Sequence, residues 1–238
     1  VDPAAKRARV EPGALLGDFD RETQAFGLST PTGINSTTGM SGLTLGGGFG
    51  WQSRKRGLTI DNLVAADVVL ASGEFVQTSA TQHPDLFWAL RGGGGNFGVV
   101  TSFEYQLHPL GPQVLAGLVV YPLGQAKQVF EGYRQFTAAA GDDMTVWMVL
   151  RKAPPLPFLP AEVHGKEVVV IAFCWIGDPG AGAELIQPLR GFGKPCGEMV
   201  APMPFAGWQT AFDPLLQPGA RNYWKSHDFK LMSVDVER

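Results

Sequence analysis

The sequence predicts an α+β fold, on three observations. Residues 14–26 hold Leu15, Leu16, Phe19 and Phe26 at helical spacing. Residues 66–70 and 75–78 are short apolar runs that bracket Ser72-Gly73-Glu74, the pattern of an antiparallel hairpin. From residue 114 onward, strand, helix, strand, loop, strand and helix patterns follow one another, which suits an antiparallel sheet with helices on one side. The 238 residues, 45% of them hydrophobic, suffice for one large or two modest globular units.

Taken in order, residues 8–10 continue an opening strand that Pro12-Gly13 stops. The helix over 14–26 has Gly27 where a C-terminal glycine ends it. After a glycine-rich stretch, Arg54-Lys55-Arg56 reads as a solvated turn, and Asp61-Asn62 also suits a turn. Pro84 stands at a first helical position, with His83 before it as a helix-start residue and Asp85 in the first turn, where a carboxylate complements the helix dipole. Phe87, Trp88 and Leu90 bury that helix. A second glycine loop, Gly93 to Gly98, leads into a strand over 99–108 that Pro109 and Gly111-Pro112 end. The boundary between two units, 1–112 and 113–238, is placed there. The second unit is read as a strand over 114–121, a helix over 125–140 with Val129, Phe130, Tyr133 and Phe136 on one face, and a strand over 144–150. The proline-rich loop KAPPLPFLPAEV, a strand over 167–175 and a short helix near 181–189 follow.

Residues 31–50, PTGINSTTGMSGLTLGGGFG, hold seven glycines and six Ser/Thr hydroxyls, and no charged side chain falls between Glu22 and Arg54. Such a stretch brings main-chain N–H groups and hydroxyls close to a ligand, enough to hold a phosphate without a point charge. A flexible Gly/Ser linker is the alternative, but it has no use for Ile34, Met40, Leu43, Leu45 and Phe49. A Walker loop is excluded, since no lysine stands between Lys6 and Lys55. Gly93 to Gly98 matches Gly-x-Gly-x-x-Gly, yet DLFWALR before it reads as a helix and VVTSFEYQLHP after it as a strand. A nicotinamide site of the Rossmann kind needs the opposite order.

LGGGFGW, SRKRGLTIDNL, HPDLFWALRGGGGNFGVVTSFEY and RNYWKSHDF together resemble the berberine bridge enzyme-like and 6-hydroxy-D-nicotine oxidase-like flavoproteins of the vanillyl-alcohol oxidase superfamily. The match runs in order along nearly the whole chain and is densest over 28–108. The resemblance implies FAD as cofactor. It also implies a fold of a partial FAD-binding domain of PCMH type followed by a partial substrate domain. By resemblance Thr32, Gly33, Asn35, Thr37, Gly39, Gly42, Leu43, Gly46 and Gly47 lie along the pyrophosphate, ribityl chain and isoalloxazine. The segment of Asn62 lies against the flavin, and Gly98, Val99 and Val100 meet the adenosine half. Members that tether the flavin twice have a cysteine where Asn35 stands, and an amide cannot form that bond. A histidine frequent in the family is replaced by Leu43.

The implied reaction moves hydride from a C–H next to oxygen or nitrogen of a small molecule to the flavin, with dioxygen as electron acceptor and hydrogen peroxide as product. Tyr223, Lys225 and His227 are the candidate catalytic groups, a lysine beside a flavin stabilising negative charge and a tyrosine relaying a proton; the alternative is a solvated strand face. Compared with the family, a section before Val1 and another after Lys230 are missing, so an incomplete chain is expected, and with it a second reading as a non-catalytic remnant.

A net charge of −3 offers no footprint for nucleic acid or an anionic membrane. No apolar run reaches the roughly 18–20 residues of a membrane span. Cys174, inside VVVIAFCWIG, reads as a buried thiol, and Cys174 and Cys196 are too few for a disulfide framework. His108 and His164 flank strands at no metal-ligand spacing, so no metal is expected. The location is left open, with the cytoplasm favoured, and so are the substrate and the oligomeric state.

Overall fold

The computed structural model describes residues 1–215, 219, 221, 223 and 225–227; Asn222, Trp224, Asp228 and Phe229 of the RNYWKSHDF motif lie outside them. The chain is a mixture of helices and antiparallel sheets. Strands β1 (Arg7–Val10), β3 (Leu63–Val69), β4 (Phe75–Ser79) and β5 (Val99–Gln106) form one four-stranded sheet in the order β1-β5-β3-β4. Helices α1 (Leu16–Gln24), α2 (Met40–Leu45) and α4 (Pro84–Gly93) bury Leu16, Phe19, Met40, Leu45, Phe87 and Leu90 in its core, together with Val68, Phe103 and Tyr105. Two-residue strands β2 (Leu28–Ser29) and β6 (His108–Pro109) pair with each other, closing the strand predicted over 99–108 two residues early.

Helix α1 ends as expected: Phe26 and Gly27 donate back to Thr23 and Gln24, and Gly27 has φ 63°. His83 caps α4 in the left-handed region with Pro84 behind it. The exposed Trp88, however, does not bury that helix. Helix α4 runs into Gly93, and a 3-10 turn over Gly94–Phe97 leads to β5. Helix therefore precedes and strand follows the Gly-x-Gly-x-x-Gly run, which removes the nicotinamide reading.

The second sheet has the order β10-β7-β9-β8, all antiparallel, from β7 (Gln113–Pro122), β8 (Met144–Lys152), β9 (Glu167–Trp175) and β10 (Gly197–Pro204). Successive side chains of a strand alternate between faces. Val119, Tyr121, Val146, Val169, Ile171 and Phe173 point to the face covered by α5 (Ala126–Ala139), α6 (Pro179–Leu185) and α7 (Gln187–Arg190). The single helix read near 181–189 is thus two short ones, split at Ile186.

Strand β10 and the helix after it, α8 (Phe205–Gln209), escaped the sequence reading. Strand β10 carries Pro202 and Pro204, which weaken a strand pattern and are tolerated here because it pairs on one side only, with β7. Helix α8 turns back onto α1 and inserts Trp208 into an aromatic cluster with Trp51, Trp147 and Phe212. Trp51 stacks on Trp147 with ring centroids 4.3 Å apart, so the end of the glycine-rich stretch is fixed to the second sheet.

The basic cluster on α3 (Ser53–Arg56) is not merely solvated. Arg54 donates to the carbonyls of Thr137 and Ala140 at the C-terminal end of α5, Lys55 pairs with Asp143 at 2.5 Å, and Arg56 donates to Pro109 O and Gln52 Oε1. Cations at a helix C-terminus meet its unpaired carbonyls.

Candidate functional site

The glycine-rich stretch is an ordered irregular segment built around α2, with Met40, Thr44 and Leu45 buried. Two close approaches set its course. A Cβ at Gly50 would lie 1.9 Å from Thr32 O. Gly48, at φ 73°, would put a Cβ 2.3 Å from Thr59 Oγ1. Gly50 therefore lies directly on the backbone of residues 32–33, and Gly48 on the Thr59 side chain.

Thr32 and Gly33 are buried, yet their amides, with those of Ile34, Asn35, Gly48 and Phe49, donate to no acceptor among the described residues. Buried N–H groups without partners are rare because each forfeits the hydration it had in water. The hydroxyls of Thr30 and Thr59 are likewise buried and unpartnered.

The sequence candidates divide. The Thr32 hydroxyl is committed: it donates to Asp20 Oδ1 at 3.3 Å and accepts from Gln209 Nε2 at 2.7 Å. Asn35 Oδ1 accepts from the amide and hydroxyl of Thr37, a local turn. Gly39, Gly42, Leu43 and Gly46 belong to α2 and its caps, and Gly47 follows with φ 110°. The side chain of Asn62 is spent within the protein: Nδ2 donates to the carbonyls of Arg56 and Leu58, and Oδ1 lies 2.7 Å from His108 Nε2. Burial, with Arg56 and Lys6 nearby, holds the His108 imidazole below its ordinary range. Gly98, Val99 and Val100 sit where β5 begins, Val99 and Val100 paired with Val69 and Val68, at the end of β5 away from the residues 103–106 that pair with β1. Tyr223, Lys225 and His227 are exposed, Tyr223 at 86%, and are not among the residues lining the chamber beside the glycine stretch.

That chamber, about 410 Å³, opens on the face of the second sheet opposite α5. Leu118, Trp147, Val149, Val170 and Ala172 form its floor, Leu156 and Phe158 of the proline-rich loop one side, and Ile34 of the glycine stretch another. Phe212 and Leu215 complete it. Asp213 between them is pinned to the stretch, accepting from the Ser36 amide at 2.8 Å and from the Ser36 hydroxyl. Beyond their apolar pattern the chamber's parts were not legible in the sequence, since they come from five separate segments.

One buried ionisable group adjoins the stretch. Asp20, 2% exposed, accepts from Gln209 Nε2 and the Thr32 hydroxyl, and burial pushes its carboxyl up to about 7 against those two bonds. Among the described residues no cluster of His, Cys, Asp or Glu could hold a metal ion, and no helix is long and apolar enough to cross a membrane.

The glycine-lined backbone and the apolar chamber on the second sheet adjoin each other through Ile34. Residues 1–79 match the family model for an FAD binding domain. An FAD-linked oxidoreductase of Dictyostelium discoideum is 34% identical over 223 residues, 94% of this chain and 46% of that protein. The (R)-6-hydroxynicotine oxidase of Paenarthrobacter nicotinovorans is 43% identical over 121 residues, 51% of this chain and 26% of that one. The crystal structure of 6-hydroxy-D-nicotine oxidase from Arthrobacter nicotinovorans superposes with a TM-score of 0.79 at 28% identity, covering 92% of this chain and 47% of that one. Over the part they share, the chain is similar to FAD-linked oxidoreductases, and a berberine bridge enzyme-like protein of Arabidopsis thaliana is among its structural neighbours, with a TM-score of 0.75 at 26% identity. The chain spans about half the length of the Dictyostelium protein and of the solved oxidase structure.

FAD fits the residues present. The unpartnered amides of Thr32, Gly33, Gly48 and Phe49 and the orphaned hydroxyls of Thr30 and Thr59 are donors of the kind a diphosphate and a polar ring edge accept from, and Gly48 and Gly50 let that backbone lie against Thr59 and Thr32 where a Cβ would clash.

Proposed function

We propose that this chain forms the flavin-facing and substrate-facing parts of an FAD-dependent oxidase of small molecules. The observation that carries it is the shared wall: Ile34 belongs to the glycine stretch and also lines the apolar chamber. A substrate resting on Trp147 and Val149 is thereby held beside whatever the stretch binds. When bound, FAD supplies a two-electron acceptor for hydride from a C–H next to oxygen or nitrogen, with dioxygen as the final acceptor and hydrogen peroxide as product.

The chain's own residues do the rest. Backbone donors of residues 32–35 and 48–49 hold the cofactor, joined at its adenosine half by the backbone of Gly98, Val99 and Val100. The apolar walls exclude water and orient the substrate. Tyr223, Lys225 and His227 are assigned to proton transfer and charge stabilisation. The oxidase names of relatives such as (R)-6-hydroxynicotine oxidase support the reaction class.

The test is to load the protein with FAD, remove free flavin, and follow peroxide release on a panel of small alcohols and amines. Flavin-dependent peroxide formation supports the reading. Anaerobic bleaching of the flavin by substrate without peroxide in air contradicts the oxidase assignment, and a protein that takes up no flavin contradicts the whole.

A further inference from the structure

We propose that the chamber on the second sheet takes an amphipathic small molecule, an apolar chain or ring that ends in a carboxylate or like anion, and that Arg151 pairs with the anionic end. Strand β8 alternates, so Trp147, Val149 and Arg151 share the chamber face. Opposite them in register stand Ala172, Val170 and Val168 of β9. Among the described residues, every one lining the chamber is apolar except Arg151. The face thus runs from the aromatic end at Trp147, beside the glycine stretch, to one cation two strand steps away.

Arg151 is less fully satisfied than most of the described arginines, and unlike Arg134, whose guanidinium lies over the Phe130 ring, it lines the chamber. Arg7, Arg9, Arg21, Arg91 and Arg190 each pair with a carboxylate, and Arg54 and Arg56 donate to carbonyls through their terminal nitrogens. Arg151 makes one bond, from Nε to Lys152 O at 3.1 Å. Among the described residues no acceptor meets its two terminal nitrogens, which are the pair that grips a carboxylate side-on. An apolar chamber of this size lies within the range of ligand pockets, about 300–1,000 Å³, in which a few polar groups fix orientation. A half-buried guanidinium at its rim selects charge, and the walls select apolar bulk.

That this ligand is the substrate rests on the proposed function; that it binds does not. The test is calorimetric titration of the protein with octanoate and with octan-1-ol, which share a chain and differ in the charged end. Octanoate is expected to bind at least about tenfold more tightly, and Arg151→Gln to bring the two within about twofold while leaving octan-1-ol unchanged. Val149→Trp, which fills the floor, is expected to abolish both. Equal affinities in the wild type, octanoate binding untouched by Arg151→Gln, or no binding of either probe would overturn the proposal. Flavin uptake measured on the same samples separates the two claims: a protein that binds octanoate but no FAD fails the oxidase reading and keeps this one.

Discussion

Gln209 Nε2 donates to Asp20 Oδ2 at 3.0 Å across 189 residues of chain. The same nitrogen reaches Thr32 Oγ1 and Gly33 O, so one amide ties α1, the glycine stretch and α8 together. Asp20 is the ionisable member, and burial raises its carboxyl to about 7. A folded state that holds a proton more tightly than the unfolded chain is favoured where that proton is bound. Stability from this group is therefore present below the ordinary carboxylate range and is lost as pH rises toward about 7, after which it is flat. The loss is on the order of a few kcal/mol at most. Thermal midpoints at pH 5 and pH 8 check it: the wild type should lose more between them than Asp20→Asn, and an identical loss in both would refute the assignment.

Gln209→Ala leaves Asp20 and Gly33 O without their shared donor. A stranded buried acceptor costs about 1–3 kcal/mol, and the Asp20 carboxyl should rise further. Denaturant midpoints with an unchanged slope would report this as a stability loss of the folded state.

Gly50→Ala is expected to destabilise by about 1–3 kcal/mol, because its Cβ would meet Thr32 O, a backbone atom that moves only with its segment. It should weaken FAD uptake at the same time, since the amides of Thr32 and Gly33 shift with that carbonyl. A variant as stable as the wild type would mean that residues 32 and 50 are not held in contact.

Arg54→Ala and Lys55→Ala should each cost less than about 1 kcal/mol, as exposed cations acting on helix-end carbonyls and on a partly exposed carboxylate. Their effect should shrink in high salt for Lys55 in particular.

Lys225→Ala tests the catalytic assignment. If Lys225 stabilises charge at the reacting centre, the rate of flavin reduction by substrate falls by about 100-fold or more. Normal reduction by this variant removes Lys225 from the mechanism.

Local signals were legible in the sequence and tertiary ones were not. Gly27 ending α1, His83-Pro84 opening α4, and the hairpin at Ser72-Gly73-Glu74 are decided within a few residues, and so was the helix-before-strand order at Gly93 to Gly98. Helix α2 was hidden because it is only six residues long and Gly42 lowers its helical propensity; burial of Met40 and Leu45 holds it instead. Strand β10 was hidden by its prolines, and the clamp of Arg54 and Lys55 on α5 depends on partners more than 80 residues away. Asp20 gave no sign of burial, standing in LGDFDRE among other charges, and only the approach of α8 encloses it. For the site, the glycine-rich stretch was evident from composition, and the unpartnered amides within it were not.

The central claim is that the backbone of residues 32–35 and 48–49 holds FAD. The most direct measurement is the absorption between about 350 and 450 nm that stays with the protein after FAD is added and free flavin is removed, compared between wild type and Gly48→Val. Wild type that retains flavin, and a folded Gly48→Val that does not, is the result expected. A wild type that retains none, or a variant that retains as much, would contradict the claim.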